Sequence, residues 1–303
     1  MLLLAWSPHL LPLVPEVGFL TAALHAAAPA VNLLLPLAVL TAALRRRRRT
    51  TALMALSAIV WWIQHPLWLI PDPADGHTVR LATANLRYGN PAVDDIFDAL
   101  LAADPDAVAL QELTPAHAAA LAAHPLATAL PHCILAPAEG GFGVGLCSRT
   151  PIADAAIADW GATPVARGRL STPAGPLTVV AVHAMPPFSA LRVRQRGAQL
   201  ATIGTLRDPR APTVVLGDLN TTPDSPAWHT VTDAGFRTAA KACGMPRRPT
   251  WPVPIPVARI DHVLIDIGLG CAALTHQHVP GSDHAVVIAD VALAPLATGG
   301  LPR

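Results

Sequence analysis

Residues 214–220 read Val214-Val215-Leu216-Gly217-Asp218-Leu219-Asn220. The aliphatic, β-branched run has the composition of a strand, and it ends in a glycine followed by two polar side chains one residue apart. Residues i and i+2 of a strand point to the same side, so Asp218 and Asn220 leave the strand end facing one site. A carboxylate beside an amide suits a hard cation, a water and a phosphate. Near the end of the chain, Ser282-Asp283-His284 puts an acid next to a base. Together the two segments point to metal-assisted chemistry at a phosphoester.

Working outward from that strand, the pattern alternates. Val79 to Asn85 reads as a strand, residues 91–103 as a helix, and Ala107 to Leu110 as a second strand leading to Gln111-Glu112. Thr114-Pro115 has the residues of a helix cap and first turn. Strands follow around 143–148 and 177–182, then an arginine-bearing helix over 189–206. Residues 260–264 and 285–291 supply the closing strands. Several strands succeed one another with only turns between, which favours α+β layers over a simple doubly wound parallel sheet.

Charge is distributed unevenly. The chain has 303 residues, 52% of them hydrophobic, and a mean hydropathy of +0.43. Residues 1–71 hold one acid, Glu16, and a single basic run, Arg45 to Arg49. Residues 18–44 and 51–70 carry no Asp, Glu, Lys or Arg before that run begins or after it ends. Each is long enough for a transmembrane helix, which needs about 20 residues. The arginines between them place that loop in the cytoplasm and both outer ends outside. Residues 1–15, broken by Pro8, Pro12 and Pro15, are a third span or an interfacial stretch. A signal peptide and a buried soluble helical hairpin are the alternatives, but a signal peptide carries its charges before its apolar run. The expected organisation is a membrane anchor over 1–71, a linker over 72–78, a catalytic domain over 79–293 and a tail over 294–303. From residue 72 onward acids slightly outnumber bases, which argues against a tight, non-specific nucleic-acid binder. Cys133, Cys147, Cys243 and Cys271 show no zinc-like spacing and read mainly as buried thiols, with one disulfide allowed in an oxidising compartment.

The ordered set Thr83-Ala84-Asn85-Leu86, Leu110-Gln111-Glu112-Leu113, Val182-His183-Ala184, Gly217-Asp218-Leu219-Asn220, Ile260-Asp261-His262-Val263 and Gly281-Ser282-Asp283-His284 resembles the endonuclease/exonuclease/phosphatase (DNase I-like) superfamily. Each motif alone is weak; six in this order are specific. The resemblance implies a four-layer α/β/β/α sandwich that hydrolyses phosphodiester or phosphomonoester bonds with Mg²⁺ or Mn²⁺. It implies Glu112, Asn85 and Asp283 on the metal, Asp218 as general base and Asn220 holding phosphate and water. It implies His284 oriented by Asp261, and His183 against the phosphoryl oxygens. Expected substrates are nucleic acid, a lipid headgroup or a small phosphoester, with no obligate protein partner. A sphingomyelinase-like lipid phosphodiesterase, a nuclease acting on extracellular DNA and a non-catalytic, membrane-tethered binding domain are the alternatives. Arg192, Arg194 and Arg196 read as the solvated face of their helix, with contact to an anionic substrate or membrane headgroups as the alternative.

Overall fold

Strands whose side chains alternate between two apolar faces must be covered on both sides, and this chain supplies the cover as two sheets and two sets of helices. The computed structural model describes residues 14–32, 35–45, 48–64, 71, 72, 74, 76–245 and 248–293. Helices α1 (Phe19–Asn32), α2 (Leu35–Leu44) and α3 (Arg48–Gln64) come first. The order then runs β1 (His77–Asn85), α4 (Val93–Ala103), β2 (Ala107–Gln111), α5 (Pro115–Ala123), α6 (Pro125–Ala129), β3 (His132–Ala136) and β4 (Val144–Ser148). The second half holds β5 (Ile152–Asp159), β6 (Pro164–Thr172), β7 (Gly175–His183), α7 (Ala190–Ala201) and β8 (Thr213–Asp218). It closes with α8 (His229–Asp233), β9 (Phe236–Thr238), α9 (Ala239–Ala242), β10 (Asp261–Asp266), β11 (Gly270–His278) and β12 (Ala285–Leu293).

One six-stranded sheet has the order β11-β12-β1-β2-β4-β3, and the other β5-β6-β7-β8-β10-β9. Only β1–β2 and β7–β8 pair in parallel, each joined through a helical crossover. Between the sheets, Val79, Leu81, Ala109 and Leu146 meet Val179, Ala181, Val214, Leu216 and Val263. On the outer face of the first sheet, Ala82, Val108 and Leu110 pack under Ile96, Phe97 and Leu100 of α4 and Leu121 of α5. On the outer face of the second, Val180, Val182 and Val215 pack under Leu200, Ile203 and Val231. Three apolar interfaces make four layers in the order helix, sheet, sheet, helix. Thr114 caps α5 by accepting from the His117 N–H at 3.1 Å, with Pro115 at the first position.

The N-terminal region departs from expectation. Residues 18–44 are not one helix: α1 has 14 residues and α2 has 10. The helix expected over 51–70 starts earlier, at Arg48 inside the arginine run, and spans 17 residues to Gln64. Among the described residues no helix is long and apolar enough to cross a membrane. The possible span over 1–15, residues 65–70 and the tail from 294 lie wholly or mostly outside the described residues. Helices α2 and α3 pack together, burying Ala42 and Met54.

The cysteines are a second correction. All four are paired, Cys133–Cys147 and Cys243–Cys271, rather than mainly free. The first ties β3 to β4 across directly facing positions. The second fastens the turn after α9 to the start of β11. Spacing could not show this, because each pair is made by strand register or tertiary packing. Each bridge closes a loop of moderate length, 14 and 28 residues apart in sequence. Cys243→Ser/Cys271→Ser should therefore lose roughly 2–3 kcal/mol of stability by urea denaturation. A variant as stable as the parent protein would contradict the pairing.

Candidate functional site

The site is built where β1, β2, β7, β8 and β10 end on one edge of the paired sheets. Gly217 lets β8 run close to β7: its φ is +151°, and a Cβ there would meet the Val182 carbonyl oxygen at 2.0 Å. That glycine sets Asp218 level with His183 on β7 and opposite Asp261 on β10. Asn85 ends β1 beside Gln111, so Glu112 follows within reach. Glu112 and Asn220 both hold positive φ, +55° and +48°. For residues with a Cβ this backbone costs roughly 1–2 kcal/mol. Two such turns at one sheet edge are the kind of strain that a functional site retains.

The expected residues converge. Asn85 Nδ2 donates to Glu112 Oε1 and to Asp218 Oδ2, both at 3.2 Å, while its Oδ1 accepts from the Arg87 N–H at 2.9 Å. Its amide nitrogen thus faces the carboxylates and spaces them. The other Glu112 oxygen accepts from the Tyr88 N–H at 2.8 Å. Asp218 Oδ1 accepts from the Asn220 N–H at 2.8 Å, which ties the turn to the carboxylate it follows. Asn220 Nδ2 donates to the Ala184 carbonyl at 2.9 Å and to His183 Nε2 at 3.2 Å. His183 Nε2 is therefore an acceptor and the ring neutral. Burial, which penalises the charged ring, likewise holds its pKa below the ordinary value.

His284 has the opposite character. Its Nδ1 donates to both oxygens of Asp261 at 3.0 Å and lies 3.8 Å from Asp218. Burial works against the cation here too, but the charge and hydrogen bonds of Asp261 outweigh it and raise the pKa to about 10. Asp261 is correspondingly held low: burial opposes its charge, and His284 and a hydrogen bond from Thr250 overcome that. Asp218 lacks such a dedicated cation. Burial first, and then the neighbouring charge of Asp261, push it up to about 8. One carboxylate is thus tuned as a proton acceptor near neutrality and the other as a permanent counter-ion. Asp283 faces the same cavity and accepts from Trp251 Nε1 at 3.0 Å. Ser282 links the end of β1 to the start of β12, its hydroxyl donating to the Asn85 carbonyl at 2.8 Å and accepting from the His284 N–H at 3.0 Å.

Asp218, Asp261 and His284 offer ligand atoms that all lie within 4.8 Å of one another. The His284–Asp261 bond already engages two of them. Glu112 and Asp283 open onto the same cavity, and Mg²⁺ asks for one or two carboxylates and several waters. The donor set is oxygen-rich and fits a hard divalent cation, with Glu112 nearest to Asn85 and Asp218.

Arg196 corrects the reading of its helix. It is 2% exposed, not solvated, and forms a buried ion pair with Glu16 while donating to the Asn220 carbonyl. The signal was spacing: Val193, Arg196 and Leu200 make the buried stripe of α7. Arg194 is exposed, and Arg192 lies over the Phe142 ring at 5.9 Å. The contributions of Glu16, of α1 and of Trp251 had no local motif to betray them.

No curated protein matches the sequence. Solved structures that resemble the chain include an endonuclease/exonuclease/phosphatase from Beutenbergia cavernae, 23% identical over 72% of each chain with a TM-score of 0.57. A second, from Bacteroides vulgatus, is 20% identical over 72% of this chain and 99% of its own, with a TM-score of 0.59. The 3′ phosphatase NExo from Neisseria, solved with a product DNA hairpin, is 18% identical over 70% and 98%, with a TM-score of 0.55. At these identities the likeness shows the fold. The profile of the Endonuclease/Exonuclease/phosphatase family matches residues 82–284, two thirds of the chain and every residue of the cluster from Asn85 to His284. The chain belongs to the endonuclease/exonuclease/phosphatase family.

Proposed function

We propose that this protein is a membrane-anchored phosphoesterase that uses Mg²⁺ or Mn²⁺ to hydrolyse a phosphodiester or phosphomonoester by in-line attack of water. The observation that carries the reading is the convergence of Glu112, Asp218, Asp283 and His284 on one cavity, with Asp218 and His284 3.8 Å apart. Water's oxygen forms the new bond to phosphorus, its proton passes to Asp218, and the bond to the leaving oxygen breaks. His284, kept cationic by Asp261, donates toward the phosphoryl oxygens and offsets their growing charge. Asn220 and His183 border the same space and, by shape, limit where the phosphate can sit. Glu112 and Asp283, with Asn85 spacing the carboxylates, would hold a divalent cation, which would supply charge neutralisation at the phosphoryl group.

Membrane attachment through residues 1–71 is supported by large apolar side chains that stay exposed on the N-terminal helices, among them Leu20, Leu24, Leu53, Leu56 and Ile59. On the charge of the arginine run alone, we place the catalytic domain on the outer side of the plasma membrane. Two disulfides in one domain agree with an oxidising compartment.

The test is Mg²⁺-dependent turnover of bis(p-nitrophenyl) phosphate by the full chain. Glu112→Ala should raise the Mg²⁺ needed for half-maximal rate roughly tenfold, the scale seen when a group supporting a metal is lost. No turnover of this diester or of the monoester p-nitrophenyl phosphate with either cation, or an unaltered requirement in the variant, would refute the reading.

A further inference from the structure

The cavity over the catalytic residues has a volume of about 670 Å³ and two unlike walls. One carries Glu112, Asp218, Asp283 and His284. The other is helix α1, which presents Phe19, Ala22, Ala23, Ala26 and Ala27. These positions follow the three- and four-residue steps of one helix face. Leu20 and Leu24 lie off that face and are 72% and 49% exposed. Phe19 stands at the N-terminal end of the face, and the four alanines that follow it leave room beside the phosphate site. The helix is held there by two contacts: Glu16 pairs with buried Arg196, and the Phe19 and Phe188 rings lie 6.0 Å apart. Arg196 also donates to the Asn220 carbonyl, so the segment before α1 is tied to the turn that carries a site residue. Two hydroxyls, of Thr221 and Thr222, belong to residues that line the cavity and are buried without a partner among the described residues. The α1 side chains that line the cavity, Phe19, Ala22, Ala23, Ala26 and Ala27, cannot read a base edge, and Val257, Ile260, Pro186 and Pro187 add further apolar lining.

We infer that α1 is the apolar wall of the substrate site and that the substrate is an amphiphilic phosphoester, its phosphate at Asp218 and His284 and an alkyl chain along Ala22, Ala23 and Ala26. The inference rests on the proposed phosphoesterase activity and adds to it the class of substrate. Arg87 and Arg192 at the cavity supply charge for one phosphate group, not for a polyanion track.

The test uses the full chain in phosphatidylcholine nanodiscs and p-nitrophenyl alkyl phosphates, in which the leaving group stays constant and only the alkyl chain grows. From methyl through butyl to hexyl, kcat/KM should rise about threefold per buried methylene. Ala26→Asp should cut the hexyl-to-methyl ratio roughly tenfold, and Ala26→Phe, which keeps the wall apolar but fills the space, should cut it as well. A tetradecyl ester held in the bilayer separates the two sources of such a substrate. A further gain identifies a membrane lipid; a gain that stops with the soluble esters identifies a soluble amphiphile, and both support the chain site. A flat series with the methyl ester still turned over would overturn the inference and leave the phosphoesterase standing, as would an unchanged ratio in the two variants. Failure of every ester would overturn both.

Discussion

Asp218→Ala is expected to lower kcat by about 10²-fold or more, the scale of a lost general base, while the domain still folds. The side chain is 1% exposed and its removal takes away one acceptor for Asn85 Nδ2 and one for the Asn220 N–H. Asn85 keeps Glu112 as a partner; the Asn220 backbone N–H loses its acceptor, but the side-chain Nδ2 still donates to the Ala184 carbonyl and holds the turn. The β8 backbone pairs with β7 and β10 on both sides independently of that carboxylate. Structure should therefore survive where activity does not. Steady-state kinetics beside circular dichroism checks this, and wild-type turnover in a folded variant would remove Asp218 from the mechanism.

Asp261→Ala is expected to cost about 3–5 kcal/mol of folding stability, the range for breaking a buried ion pair from one side. Its partner His284 has a raised pKa in the fold, so the pair's contribution from that ring is fully present below the unfolded pKa near 6.5. It fades as pH rises through about 10. Asp261 is held low, so its own part is present above the unfolded carboxylate value near 4 and is lost in acid. The difference between wild type and variant should be largest between about pH 4 and 6.5 and should shrink toward pH 10. Urea denaturation of both proteins at pH 6 and at pH 9.5 measures it. An equal difference at the two pH values would show that His284 and Asp261 are not the charged pair described.

Much of this site was legible because its residues lie where strands end. Val214 to Gly217 reads as a strand on composition alone, and its polar successors had to leave the sheet on one side. The same holds for Asn85 after β1, Glu112 after β2 and His183 at the end of β7. Order along the chain then supplied what no single motif carries. Edge strands were harder. β5 is Ala-rich and largely exposed, so it lacks the apolar alternation that marks a half-buried strand. The disulfides depend on register between β3 and β4 and on α9 reaching β11, which spacing does not encode. Arg196 was misjudged because three arginines at alternate positions look like one solvated face, whereas a helix turns the third inward with Val193 and Leu200. Helix α1 was read for its hydrophobicity. That property fits a bilayer and an apolar cavity wall alike, and only tertiary placement separates the two.

The central claim is that water attacks phosphorus at the cavity edge shared by Glu112, Asp218 and His284. Hydrolysis of bis(p-nitrophenyl) phosphate in ¹⁸O-labelled water, followed by mass spectrometry of the products, addresses it most directly. Label in the phosphate product, with p-nitrophenol unlabelled, is the predicted result. Label in the phenol, or release of phenol without incorporation of solvent oxygen into the phosphate, would contradict it.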